Sequence, residues 1–174
     1  EAVAEVRPGE DTRVTIRGYR VPLEIEALDL NVDVRPGQLL ADLVRTNVAE
    51  GRLSFTTSLP EVLDRVEIAV IAVGTPSDEE GRAELKYLKE VIATIATHSR
   101  TSKLLVTKST VPPGTGRMIE RFMETHTTVP MEICSCPEFL REGTGVKDFF
   151  NPDRIVIGVR NEAIGQRMLQ LFKH

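Results

Sequence analysis

A chain of 174 residues with a formal net charge of −4 is long enough for one sizeable core and short for two. Its charges include no Lys/Arg block, which leaves no electrostatic footprint for nucleic acid or an anionic membrane, and no apolar run approaches the roughly 20 residues that span a bilayer. Cys134 and Cys136 stand one residue apart, and His98, His126 and His174 lie far from them in sequence, so neither a disulfide framework nor a metal site is expected.

Residues 1–11 read as a mobile arm, and the opening EAVAEVRPGEDTR lacks the apolar h-region of a signal peptide. With the two thiols read as reduced, the expectation is a cytoplasmic protein. Residues 12–174 are expected to form a single domain. RVTI at 13–16 is a short β-branched run, and GYRVPLEIEALDL suits a helix entered through Pro22. NVDV at 31–34 alternates like a strand. PGQLLADLVRTNVAEG carries apolar residues at helical spacing from Leu39 to Val48, with Gly51 as a stop. SLPEVL from Ser58 is a short capped helix with Pro60 in its first turn.

IAVIAV at 68–73 is apolar on both faces, as a central strand covered on each side must be. LKYLKEVIATIATH is an amphipathic helix, KLLVTKS at 103–109 the next buried strand, and RMIERFMETH a further helix. MEICS at 131–135 and RIVIGV at 154–159 are expected as third and fourth buried strands, and EAIGQRMLQLFKH as the last helix. Strands alternating with helices call for right-handed crossovers and a doubly wound, mostly parallel α/β sheet of Rossmann-like type.

In such a sheet ligands bind beyond the carboxyl ends of the strands. VGTPS, KSTVPPGTG and SCPEFLREG follow three successive strands, so a ligand site is expected along that rim. Each has an ordinary explanation as well: GTPS as a turn, Thr115 as a helix N-cap. Ser135 and Glu138 fit a capping box, S-x-x-E. Glu142, one turn on, adds a like charge on the same face, which costs a few tenths of a kcal/mol in an isolated helix. On spacing alone, a first helical turn and a ligand-facing pair are level.

VRTNVAEGRLSFTTSL, IAVIAVGTPS, LLVTKSTVPPGTG and CPEFLREGTGVKDFFNPDRIVIGV together resemble the N-terminal part of the UDP-glucose/GDP-mannose dehydrogenase family, leaning towards its UDP-glucose branch. The resemblance runs from about Leu39 onward. It implies oxidation of the C6 alcohol of a nucleotide sugar, UDP-glucose, to a carboxylate by two hydride transfers to NAD⁺, through a covalent adduct on a family cysteine. Carried over by motif, Thr110 positions a catalytic water, Glu138 assists proton transfer and hydrolysis, and Glu142 sits at the nicotinamide. Phe139, Leu140 and Arg141 line the sugar pocket with Glu138, and Thr75 touches NAD.

The family's opening strand and glycine fingerprint correspond here to VTIRGYRVPLEIEALDLNVDV. Gly18 and Tyr19 fall where the first turn should be, but two expected glycines are absent, and Arg17 and Arg20 stand near the place where small residues admit pyrophosphate. Asp33 matches either the acidic residue that binds the adenosine ribose or a solvent-facing strand residue. Neither cysteine matches the nucleophile's motif, and Cys136 stands where the family has asparagine.

The resemblance therefore implies a cofactor-binding part without its catalytic half, inactive alone. The family also implies a homo-oligomer, and an uncovered last helix, with Ile164, Met168, Leu169 and Leu171, would favour self-association. The alternatives are a non-catalytic decayed or interaction domain and a GDP-mannose 6-dehydrogenase fragment.

Overall fold

The computed structural model describes residues 2–6, 14–18 and 36–172. In chain order they form β1 (Ala2–Val6), β2 (Val14–Gly18), α1 (Pro36–Ala49), β3 (Leu53–Phe55), α2 (Leu59–Leu63), β4 (Ile68–Ala72), α3 (Lys86–His98), β5 (Lys103–Thr107), α4 (Thr115–His126), β6 (Met131–Ser135), α5 (Gly145–Phe150) and α6 (Glu162–Leu171). The strands make one six-stranded sheet in the order β3-β2-β1-β4-β5-β6.

β4, β5 and β6 pair in parallel, as do β2 and β3. β1 is antiparallel to both its neighbours, β2 and β4. It therefore runs alone against a sheet that is otherwise unidirectional. Ala2–Val6 falls within the stretch that the sequence predicts as an arm; AVAEV is small and largely apolar, and here its backbone fills a gap between two strands.

Two apolar layers sandwich β4 and β5, as runs apolar on both faces require. On one face Ala69, Ile71 and Leu105 meet Leu59 and Leu63 of α2, Leu88, Ile92 and Ile95 of α3, and Ile119 and Met123 of α4. On the other, Ile68, Leu104, Val106, Cys134 and Cys136 meet Met168 of α6, with Ile157, Val159, Ile164 and Leu171 packed alongside. All five residues of β5 are buried. The last helix is thus covered by the sheet. Of the four apolar residues whose lack of cover would favour self-association, Leu169 alone is strongly exposed.

Three local readings are corrected. RIVIGV is not a parallel strand: Ser135 N donates to Gly158 O at 2.8 Å and Gly158 N to Ser135 O at 2.7 Å, a single antiparallel bridge. The segment lays Ile157 and Val159 over the second face instead of extending the sheet. Thr115 is the first residue of α4 and not its cap; Gly114, with φ +92°, is the cap, a left-handed turn suited to glycine, and the Thr115 hydroxyl donates to Pro112 O at 2.8 Å. Ser58 occupies the N-cap of α2 without a side-chain bond. Gly51, by contrast, ends α1 as expected: at φ +72° its N–H donates to Val48 O at 3.1 Å.

Both thiols are fully buried. Burial, with the neighbouring Cys136 as the second cause, pushes the Cys134 thiol up to about 12, and burial also raises Cys136. Three units above an ordinary thiol leaves roughly a thousandfold less Cys134 thiolate at any pH below the ordinary range. Iodoacetamide at pH 8 is therefore expected to label the native protein orders of magnitude more slowly than the urea-unfolded chain; equal rates, read by mass spectrometry, would refute the burial. The linkage has a sign: above the unfolded thiol range only the unfolded chain ionises, so stability falls as pH rises through about 8.5–9.

Candidate active site

The carboxyl ends of β4, β5 and β6 carry the three loops singled out by sequence. The first two are fastened together. Ile71 O accepts from Lys108 N at 2.8 Å and Ser109 N at 3.2 Å, and the Ser109 hydroxyl donates to Val73 O at 2.6 Å. Beyond them the Thr75 hydroxyl donates to Thr110 O at 2.8 Å. Thr75 is half-buried and Thr110 exposed, with nothing within 4 Å of the Cβ that Gly74 lacks. The loop after Thr75 closes on Asp78, whose carboxylate accepts from Arg82 N at 2.7 Å and Glu80 N at 3.0 Å. The Arg82 amide, ahead of its side chain, holds the Asp78 carboxyl below the usual carboxylate range.

The third loop joins the same edge because Cys136 N donates to Thr107 O at 2.9 Å, carrying the pairing of β6 one residue past its end. The capping box is overturned, because the Ser135 amide that Glu138 would have to meet donates to Gly158 O. Ser135 is the end of a strand, residues 136–141 are neither helix nor strand, and the next helix begins at Gly145. Glu138 instead folds back on its own turn, its Oε2 accepting from Leu140 N at 2.5 Å. The Arg154 guanidinium lies 4.6 Å from the centroid of the Phe139 ring, within the range of a cation–π contact. Glu142 is exposed.

A residue that the sequence reading missed organises this turn. Asp148, in α5, accepts from Arg141 N at 3.1 Å, Arg141 Nε at 3.0 Å, Arg141 Nη2 at 2.6 Å and Thr144 Oγ1 at 2.8 Å. The Arg141 side-chain bonds, followed by the Thr144 hydroxyl, hold the Asp148 carboxyl far below its ordinary range. The pairing therefore contributes fully above pH 4 and is lost only as the pH falls towards the depressed value. Its sequence signal was slight: an arginine and an aspartate seven apart become neighbours only because Gly143 turns the chain at φ +81°.

The turn, Lys108 and residues 152–155 wall a cleft of about 340 Å³ at this rim. Glu138, Phe139, Leu140 and Arg141 all line it, while Thr75 and Thr110 stand on the same edge outside its wall. A larger cleft, about 460 Å³, lies at the opposite, amino ends of β4, β5 and β6, among Asp64, Glu67, Lys103 and Arg167. It contains none of the motif residues. Gly18 sits at the carboxyl end of β2, where it and Ala72 of β4 both pair with Ala2; it shares the edge but lies two strands from β4, about 10 Å at sheet spacing. Tyr19 and Asp33 fall outside the described residues. Among the described residues no group of three His, Cys, Asp or Glu side chains is placed to hold a metal, and no helix is long and apolar enough to cross a membrane.

The profile of the UDP-glucose/GDP-mannose dehydrogenase family, NAD binding domain, matches residues 31–174. The chain belongs to this family. Among its relatives, the UDP-glucose 6-dehydrogenase YwqF of Bacillus subtilis is 42% identical over 136 residues, covering 77% of this chain and 31% of that protein. The UDP-glucose 6-dehydrogenase of Rhizobium meliloti is 47% identical over 122 residues, covering 69% of this chain and 28% of the relative.

Among solved structures, a UDP-glucose dehydrogenase from the hyperthermophilic archaeon Pyrobaculum islandicum superposes with a TM-score of 0.74 at 32% identity, covering 90% of this chain and 38% of that one. A ternary complex of GDP-mannose dehydrogenase from Pseudomonas aeruginosa gives 0.71 at 29% identity, covering 87% of this chain and 36% of that one. The chain thus spans about a third of the length of these family members. Its fold is the Rossmann-type fold of the family's dehydrogenases, and NAD is the cofactor that goes with this domain.

Proposed function

We propose that the chain is the cofactor-side part of an enzyme that oxidises the C6 alcohol of UDP-glucose to the carboxylate, a reaction that requires two hydride transfers to NAD⁺. The observation that carries this reading is the Thr75–Thr110 hydrogen bond. It joins two motif loops on the edge where Cys136 ties down the third. In this reading Thr75 contacts the cofactor, Thr110 offers its hydroxyl to a water at the reacting carbon, and Glu142 stands at the nicotinamide. Glu138 exchanges its bond to Leu140 N for one to the substrate or to water, and residues 139–141 line the sugar side. UDP-glucose is preferred to GDP-mannose because the relatives named for it are 42% and 47% identical to this chain.

The residues present fit the nicotinamide side of NAD better than its pyrophosphate side. Two loops are rigidly bonded and open at Gly74. The strand beside β4, however, runs the wrong way to deliver a glycine turn to this edge. Binding by this chain is therefore expected to be weak, and turnover to require the remainder of a family member. Cytoplasmic location and homo-oligomers belong to the same family reading, with the contacts of an oligomer to be sought away from the sheet-facing side of α6.

The reversed β1 favours a second reading, a domain that keeps the fold without the chemistry. Calorimetric titration separates the two. NADH is expected to bind with a dissociation constant near millimolar, and no heat at several millimolar NADH would retire the cofactor claim.

A further inference from the structure

We propose that Asp148 is the positioning residue of the 138–142 turn, fixing the backbone that the preceding reading assigns to the sugar side. The functional half of this inference rests on that reading; the geometric half does not.

Asp148 is 7% exposed, whereas the Arg141 side chain remains largely in solvent. A carboxylate withdrawn from water is costly unless its oxygens are met by donors, and both are met. Oδ1 takes the Arg141 Nη2; Oδ2 takes the Arg141 amide, its Nε and the Thr144 hydroxyl. A guanidinium fork bonded through two nitrogens fixes direction as well as distance, and the added amide bond fixes the main chain of the same residue. The turn is closed from below as well, because Thr144 N donates to Arg141 O at 3.1 Å and Asp148 N to Thr144 O at 2.9 Å. Arg141, Thr144 and Asp148 thus form a closed knot at the base of residues 138–142.

The knot has a directional consequence. Arg141 lies next to Glu142 and three residues from Glu138 in an irregular turn, where an unclaimed guanidinium would pair with either carboxylate. Asp148 claims it from the other side. Glu138 is left bonded within the turn to Leu140 N, and Arg141 pairs with Asp148 instead of with either glutamate. The role is one of orientation: both Asp148 oxygens are taken up by Arg141 and Thr144.

The test uses the whole chain and its Asp148→Asn variant, which keeps the shape but loses the charge. Amide hydrogen exchange is expected to quicken about tenfold at Arg141 and Leu140, while Leu105 and Val106 in β5 exchange as before. Thr144→Val, which removes one donor and keeps the carboxylate, should give the same pattern more weakly and serves if Asp148→Asn does not fold. Arg141→Ala added to Asp148→Asn should quicken Leu140 no further.

Calorimetry supplies the functional arm. Asp148→Asn is expected to weaken UDP-glucose about fivefold or more and NADH by clearly less, because of this turn only Glu142 is assigned to the nicotinamide, a split that general destabilisation would not produce. Unchanged exchange at Arg141, or equal acceleration in β5, overturns the positioning role. Parallel loss of both ligands overturns the assignment to the sugar side. A wild-type chain that binds no UDP-glucose refutes the sugar-side reading itself, while the exchange measurements still decide the knot.

Discussion

Leu105→Ala is expected to destabilise the protein by about 3–4 kcal/mol, the range for deleting a fully buried leucine side chain that its surroundings cannot refill. Leu105 is at 0% exposure in the strand whose five residues are all buried. Its partners across the sheet are Ala69 in β4 and Ile133 in β6. An alanine on one side offers no long side chain to close the gap, and Ile92, Ile95 and Ile119 in the same cluster belong to helices α3 and α4. Against a typical total of about 5–15 kcal/mol, the loss is large enough to leave part of the protein unfolded at 37 °C. Urea unfolding followed by circular dichroism reads it directly, and a loss below about 1 kcal/mol would show that this layer is not packed as described.

Ser109→Ala has the largest expected effect at the rim. The hydroxyl is buried and donates to Val73 O at 2.6 Å. Its removal leaves that carbonyl short of a donor, at a cost of about 1–2 kcal/mol. The same bond sets the spacing of the two loops that meet at Thr75 and Thr110, so NADH affinity should fall several-fold alongside stability. Thr75→Val, which removes a partly exposed bond, should reduce affinity comparably with under 1 kcal/mol lost in a melt. If both variants bind NADH as the parent does, the junction of the two loops has no part in cofactor binding.

Much of this arrangement was legible in the sequence for a simple reason. IAVIAV is apolar at every position and KLLVT at its three central ones, and only a strand covered on both faces makes use of that. GTPS and KST followed those strands directly, so the parallel sheet placed them on one edge. Where the reading failed, one local pattern served two structures. RIVIGV is β-branched and apolar like a covered strand, yet it delivers Ile157 and Val159 to the second face while Ile155 and Val156 stay exposed. Ser135 to Glu138 spells a capping box, but the Ser135 amide that Glu138 would have to meet is committed to Gly158 O, a partner in a later segment that no local pattern reveals. Asp148 escaped notice for the same reason, since its value depends on a turn at Gly143 that brings Arg141 to it.

The reversed first strand has a consequence for how the molecule could be cut down. β1 lies between β2 and β4 and is hydrogen-bonded to both. Trimming β1 would strip β4 of a neighbour, turning a central strand into an open margin that invites pairing with another chain. The segment therefore acts as a selvedge: it keeps the weave from catching on its neighbours.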